Sequence, residues 1–365
     1  MNHRKNWENL FQRLKRIGFN LFFIMLSITY LTTIGFAQDN NSATNLSPNG
    51  TNVGTTAAAF LEIGVGARAQ AMGGAYVSFA NDATAMYWNP AGIGRISKFE
   101  TAFTHVSWLL DTNFDYFGIV SPVNNKIVVG LNVTVFGTDD QPVRVVGLEE
   151  GTGEFYSVQD LSVSLSFALN LTDRFSLGLN AKYINQRIWH SSATGFALDV
   201  GGLYKTQYDG LQIGYSISNF GTEMQLAGRD LINAIDPDII NEGVDKVPVN
   251  FETGTFGLPM LFRFGISYDK PLGFLESNLL LAVDLLKPNN YGESLNVGAE
   301  YLVLDKYALR AGYQSPFMSD HQSGLSLGGG IVIPSRQGYQ FVIDYAYVDW
   351  GILNSVHNYS ISLKY

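Results

Sequence analysis

From residue 97 onward the chain alternates apolar and polar residues with period two, and the polar partners are mostly small. Leu161, Val163, Leu165, Phe167 and Leu169 share one register against Ser162, Ser164, Ser166 and Asn170. Phe175, Leu177, Leu179, Ala181 and Tyr183 repeat it against Ser176, Gly178, Asn180 and Lys182, and Tyr359, Ile361, Leu363 and Tyr365 oppose Asn358, Ser360, Ser362 and Lys364. Such a period puts successive side chains on opposite faces of a β-strand. A soluble propeller or sandwich also contains many regular strands, but it needs a charged exterior. Over the full chain only 15% of residues are charged and 13% are aromatic, against about 25% charged in a typical soluble domain. An apolar face turned to lipid and a polar face turned to a lumen is the outer-membrane barrel pattern. Closure is then obligatory, because every backbone group in lipid must find a partner.

The expected fold is therefore all-β, a transmembrane antiparallel barrel of about fourteen strands. The strands fall at about 98–108, 114–121, 126–137, 157–169, 174–187, 194–205, 210–219, 260–269, 276–286, 292–303, 306–314, 323–333, 338–349 and 357–365. Connection lengths check the count. With a periplasmic N-terminus, the even-numbered connections are periplasmic and belong to short turns. Those connections are short throughout, whereas the two long ones, Thr138–Tyr156 and Phe220–Pro259, fall at the opposite end. The first two strands alternate least cleanly.

Ahead of the strands, five basic residues (Arg4, Lys5, Arg13, Lys15, Arg16) precede an apolar run, Ile17–Ile34, and then Gly35-Phe36-Ala37. That order of basic, apolar and small residues predicts an export signal, residues 1–37, cleaved after Ala37. A single membrane anchor is the competing reading of an eighteen-residue run; Ser27, Thr29, Thr32 and Thr33 interrupt it. Residues 38–54, rich in Asn, Ser, Thr and Gly, read as a flexible linker. The full chain has a net charge of −9; without the leader, 18 basic and 31 acidic residues remain, a net of −13. That balance argues against nucleic-acid binding. The absence of cysteine excludes disulfides, thiolate metal sites and acylation of a lipoprotein cysteine.

Residues 55–96 break the alternation with a Gly- and Ala-rich stretch, which fits a plug inside the barrel formed by 97–365. A segment filling a crowded lumen needs small residues and tight glycine turns. Its expected anchor points are Arg68, Gly73, Gly74, Asp82, Asn89 and Pro90, with Asn89-Pro90 ending a short helix and turning the chain into the first strand. The inward register of the wall carries Lys182, Asp199, Arg263, Asp284, Glu300, Arg310 and Asp344, expected to form a charge network. Arg68 and Asp82 are the plug residues expected to join it. Charges in a narrow lumen require partners or water, so bracing the plug is the simpler role for this set and a transport site the more elaborate one.

No metalloprotease, hydrolase-elbow or phosphate-loop motif is present, and the histidines show no helical pairing. No enzyme activity, metal or cofactor is expected.

Phe60–Ile96, with GARAQAMGGAY at Gly66–Tyr76 and NDATAMYWNPAG at Asn81–Gly92, resembles the N-terminal segment of PorV/PorQ-type outer-membrane proteins, relatives of the FadL-like barrels. Leu171–Ile184, Ser216–Gly221 and the ending Asp344–Tyr365 are similar to the same superfamily. The resemblance implies a fourteen-stranded barrel with a plug in the bacterial outer membrane. It also implies a type IX secretion adaptor whose partners are the translocon and the signal domains of secreted cargo. The alternative it carries is a FadL-like channel for hydrophobic small molecules such as long-chain fatty acids. For an adaptor, the second long loop offers Ile232, Ile235, Ile239 and Ile240 as an apolar partner-binding surface, or as a cover over the barrel mouth.

Overall fold

The computed structural model describes residues 52–236, 246–273, 276–317 and 324–365. The leader, residues 38–51 of the linker, and Ile239 and Ile240 lie outside these. Fourteen long strands follow one another: β1 (Glu100–Ser107), β2 (Thr112–Pro122), β3 (Ile127–Thr138), β4 (Val158–Asn170), β5 (Phe175–Ile188), β6 (Ser191–Lys205) and β7 (Leu211–Gly221). After the second long loop come β8 (Leu261–Leu272), β9 (Ser277–Pro288), β10 (Ser294–Val303), β11 (Tyr307–Gln314), β12 (Leu325–Pro334), β13 (Gln340–Asp349) and β14 (Ser355–Lys364). Each pairs antiparallel with its neighbours in sequence, β7 meets β8 across the long loop, and β1 pairs with β14 from Glu100↔Lys364 to Ser107↔His357. The ring is closed, so no sheet edge is left open to lipid. A bulge at Leu198/Val200 shifts the β6–β7 register.

Burial runs opposite to that of a soluble protein. Leu165, Leu309 and Phe196 point outward and are 63%, 66% and 59% exposed, while Ser164, Ser166, Ser176 and Ser216 are buried inside. Large apolar groups on the outside and hydroxyls within are stable only where the outer solvent is hydrocarbon. Among the described residues no helix is long and apolar enough to cross a membrane.

The irregular alternation of the first two strands has a physical cause. Their inward positions Ala102, Val106, Phe114, Tyr116 and Val120 are apolar and fully buried. They pack against the N-terminal segment rather than against water. The polar pair His105 and Asp115, 2.8 Å apart, faces outward.

The connections at one end are short: 123–126, 171–174, 206–210, 273–276, 304–306 and 335–339. At the other end, Gln141–Pro142 pairs with Phe155–Tyr156 inside the first long loop. In the second, Ile232–Ile235 pairs with Val247–Asn250 as a two-stranded ribbon, and Ala227–Gly228 adds to the start of β6.

Residues 58–96 form a compact insert of short turns. It contains a 3₁₀ turn at Ala59–Glu62, helix α1 (Ala67–Ala71), helix α2 (Ala85–Trp88) and a second 3₁₀ turn at Pro90–Arg95. Asn89 ends α2 as expected, but the chain does not turn directly into β1. Pro90, whose fixed φ suits the first position of a helical turn, instead opens the second 3₁₀ turn, capped by Asn89 Oδ1 accepting from the Ala91 amide at 3.1 Å.

Small residues let the insert touch the wall backbone to backbone. A Cβ at Gly312 would lie 2.2 Å from the Gly73 nitrogen, and one at Gly178 would lie 2.1 Å from the Ala91 nitrogen. Gly73 itself sits at φ +65°, where a side chain is disfavoured. Val65, Ala69, Met72, Tyr76, Ala80, Met86 and Ile93 are all fully buried, so the insert supplies the hydrophobic core that the polar inner wall lacks.

Candidate functional site

The insert is bonded to the wall nearly all the way round. Ser360 Oγ on β14 accepts from the Ala67 amide at 2.8 Å, Glu100 Oε1 on β1 accepts from Ala83 at 3.0 Å, and Tyr116 on β2 donates to the Ala83 carbonyl at 2.9 Å. Asn180 on β5 donates to Met86 O at 3.3 Å, and Ser216 on β7 to Trp88 O at 2.9 Å. Asn89 Nδ2 donates both to Val77 O within the insert, at 2.8 Å, and to Gly202 O on β6, at 3.1 Å. Each bond satisfies a backbone group that burial would otherwise strand at a cost of about 1–3 kcal/mol.

The inward charges separate into distinct groups. In the first, Glu300 on β10 takes Arg68 through both oxygens (2.7 and 2.8 Å) and Arg310 on β11 at 2.5 Å; Arg310 in turn reaches Asp344 on β13 at 2.6 Å. Arg68 also donates to Asn81 at 2.8 Å and approaches Asp82 at 3.8 Å. Asp82 is held by the Tyr76 hydroxyl at 2.5 Å and the Thr84 amide at 2.9 Å. Bidentate capture by a guanidinium is the strongest common form of ion pair, and here it ties the insert to three wall strands.

The second group is Lys182 on β5 with Asp199 on β6, 2.8 Å apart, joined by Asn180 and Asn219. Asp284 on β9 has no cation within ion-pair distance among the described residues. Its Oδ2 accepts from the Tyr76 and Val77 amides at 2.7 and 2.9 Å, and its Oδ1 is buried without a partner. Arg263 on β8 likewise forms no ion pair there; it donates to Ser218 and lies over the Tyr87 and Trp88 rings, 5.4 and 5.2 Å from their centroids. A desolvated guanidinium gains from the ring quadrupoles in place of a carboxylate.

Of the plug residues singled out in the sequence, Gly73 and Gly74 both take positive φ and lie against the wall near Tyr313 and Asn296. Ile232 and Ile235 both belong to the outer ribbon, 55% and 44% exposed, but three positions apart on a strand they fall on its opposite faces. Sequence reasoning missed Glu100 and Lys364, which face each other at 3.4 Å on the β1–β14 seam, and Tyr76, Tyr116 and Asn180. The inward register of β1, Glu100-x-Ala102-x-Thr104, was the available signal for the first of these.

A closed fourteen-stranded ring, apolar outside and polar within, with an N-terminal segment bonded inside it, defines a transmembrane β-barrel of the outer-membrane type. Within that class the chain belongs to the PorV family: the family model described as type IX secretion system protein PorV matches residues 45–237, from the linker through the insert and the first seven strands. No curated protein matches the sequence. Among solved structures, the chain is similar to the Ralstonia pickettii toluene transporter TbuX (15% identity, TM-score 0.52, covering 82% of this chain and 98% of that one). It is similar also to the Pseudomonas putida toluene transporter TodX (11%, 0.54, 82% and 98%) and to the monoaromatic hydrocarbon channel CymD (13%, 0.51, 83% and 97%). At these identities the likeness is one of fold.

Proposed function

We propose that this protein is a non-enzymatic adaptor of type IX secretion in the bacterial outer membrane. In this reading residues 55–96 are a plug that seals the lumen, and the long outer loops grip a secreted partner or the translocon. The observation that carries it, beside family membership, is the outer ribbon. Ile235 and its cross-strand partner Val247 share one face of a two-stranded projection beyond the wall, with Ile232 on the other face and Phe251 just after the ribbon, and all four are 37–55% exposed. An apolar surface of this kind, presented to water rather than to lipid, is a protein-docking feature. The bonds between insert and wall support a sealed lumen, which suits an adaptor.

The test is co-purification from detergent-solubilised outer membrane, with wild type and an Ile232→Asp/Ile235→Asp variant. Recovery of a large translocon barrel or of cargo bearing secretion signals, lost in the variant, is the expected result. The second reading is a channel for hydrophobic solutes, favoured by the structural neighbours, which are toluene transporters and a hydrocarbon channel. Bound hydrocarbon or fatty acid without any protein partner would establish that reading instead.

A further inference from the structure

The insert does not cover the inner wall evenly. The Pro90–Arg95 turn packs on β4–β6 and α1 on β11–β14, and between them, toward the short-turn end, a cavity of about 370 Å³ remains. Short turns mark the periplasmic end of such barrels. The volume is that of a small-molecule site, and two features of its lining point to a ligand.

The first is charge. Arg95 of the insert and Lys205 at the end of β6 both line the cavity, and neither forms an ion pair among the described residues. The Arg95 Nη atoms are engaged by the Asp173 and Arg174 carbonyls at 3.1 and 3.0 Å, which anchors the guanidinium to the β4–β5 turn. Its Nε–H is buried with no acceptor among the described residues. A buried donor left open costs about 1–3 kcal/mol, and two adjacent cations repel each other unless an anion joins them. Of the carboxylates in the lining, Glu300 is already taken by Arg68 and Arg310. Asp269 stands on β8, two strands from Lys205 and so about 10 Å away around the wall.

The second feature is the apolar share of the lining. Phe79, Leu203 and Leu280 face the same space. A bare inorganic anion would leave them against water, whereas an anion with a short hydrocarbon body would cover them.

We propose that this cavity is a periplasm-facing site for a small organic carboxylate, its carboxylate between Arg95 and Lys205 and its apolar body against Phe79, Leu203 and Leu280. The site is separate from the outer loops and is independent of whether the barrel serves as adaptor or channel.

Calorimetric titration of the detergent-purified full-length barrel tests it, with 3-methylbutanoate, 3-methylbutan-1-ol and inorganic phosphate as probes. Saturable binding of the carboxylate, at least tenfold tighter than the alcohol or phosphate, is expected. Lys205→Gln, at a side chain that makes no hydrogen bond or ion pair among the described residues, should weaken it at least tenfold while leaving the folded barrel's gel mobility unchanged. Asp269→Asn, which removes the remaining acid, should tighten it. No saturable binding, equal binding of the alcohol or of phosphate, or an unaltered affinity in Lys205→Gln would overturn the proposal.

Discussion

Arg310 on β11 reaches Asp344 on β13 at 2.6 Å, past the whole of the intervening strand β12. The reach is possible because β12 presents Gly328 and Gly330 on its inner face. A Cβ at Gly330 would stand 2.1 Å from Asp344 Oδ1 and 2.8 Å from Arg310 Nη1. Gly330→Val should therefore separate the pair and leave two buried charges poorly matched, a loss of about 3–5 kcal/mol. The temperature at which the barrel loses its compact mobility on semi-native gels should fall clearly; an unchanged transition would show that the pair contributes nothing.

Glu300 is the shared carboxylate of two guanidiniums, one on the insert and one on the wall. Its replacement, Glu300→Gln, should cost more than Arg68→Met: it leaves Arg310 with Asp344 alone and Arg68 with only the 3.8 Å approach to Asp82, whereas Arg68→Met leaves an acid that retains Arg310. The double variant should lose less than the sum of the two, with a coupling of about 0.5–3 kcal/mol. Urea unfolding of the four proteins measures it, and strict additivity would refute a direct link.

Gly178→Ala places a methyl 2.1 Å from the Ala91 nitrogen and the Pro90 carbonyl carbon, main-chain atoms that cannot rotate away. The Pro90–Arg95 turn should lift from the wall, and limited proteolysis should then cut within residues 58–96 while the strands stay intact. Gly257→Ala is the control: nothing lies within 4 Å of its added methyl, and no change in cleavage is expected.

Asp284 works as an acceptor for two backbone amides, and both bonds go to one oxygen. Asp284→Asn retains such an oxygen and removes a buried charge, so its stability should equal or exceed that of wild type. Asp284→Leu leaves the Tyr76 and Val77 amides open and should lose about 2–6 kcal/mol, counting about 1–3 for each. A destabilised Asn variant with a tolerated Leu variant would contradict this role.

The strand series was legible because alternation is a property of the linear chain: each of Leu161–Asn170 reports its own face without reference to a partner. The inward position of Lys182 or Arg310 followed from the same count. Which charge meets which did not, because that depends on register across strands far apart in sequence. Arg310 finds Asp344 only through the glycines between them, and Asp284 serves amides 207 and 208 positions away. Arg263, grouped with the ion pairs by its register, instead lies over aromatic rings that the insert brings to it. The apolar inner faces of β1 and β2 blurred their alternation for the same reason: they answer to the insert, which a strand-by-strand reading does not contain.

The seam where β1 meets β14 has an implication for how the molecule is made. Ser360 Oγ binds both Thr104 of β1 and the Ala67 amide, and Glu100 binds the Ala83 amide while facing Lys364. The insert thus holds atoms of a strand that lies 293 positions further along the chain. Contacts of such separation form slowly, since loop closure must precede them. The insert can settle only as the ring shuts around it, and a chain lacking residues 58–96 should stall as an open sheet with its first and last strands unjoined.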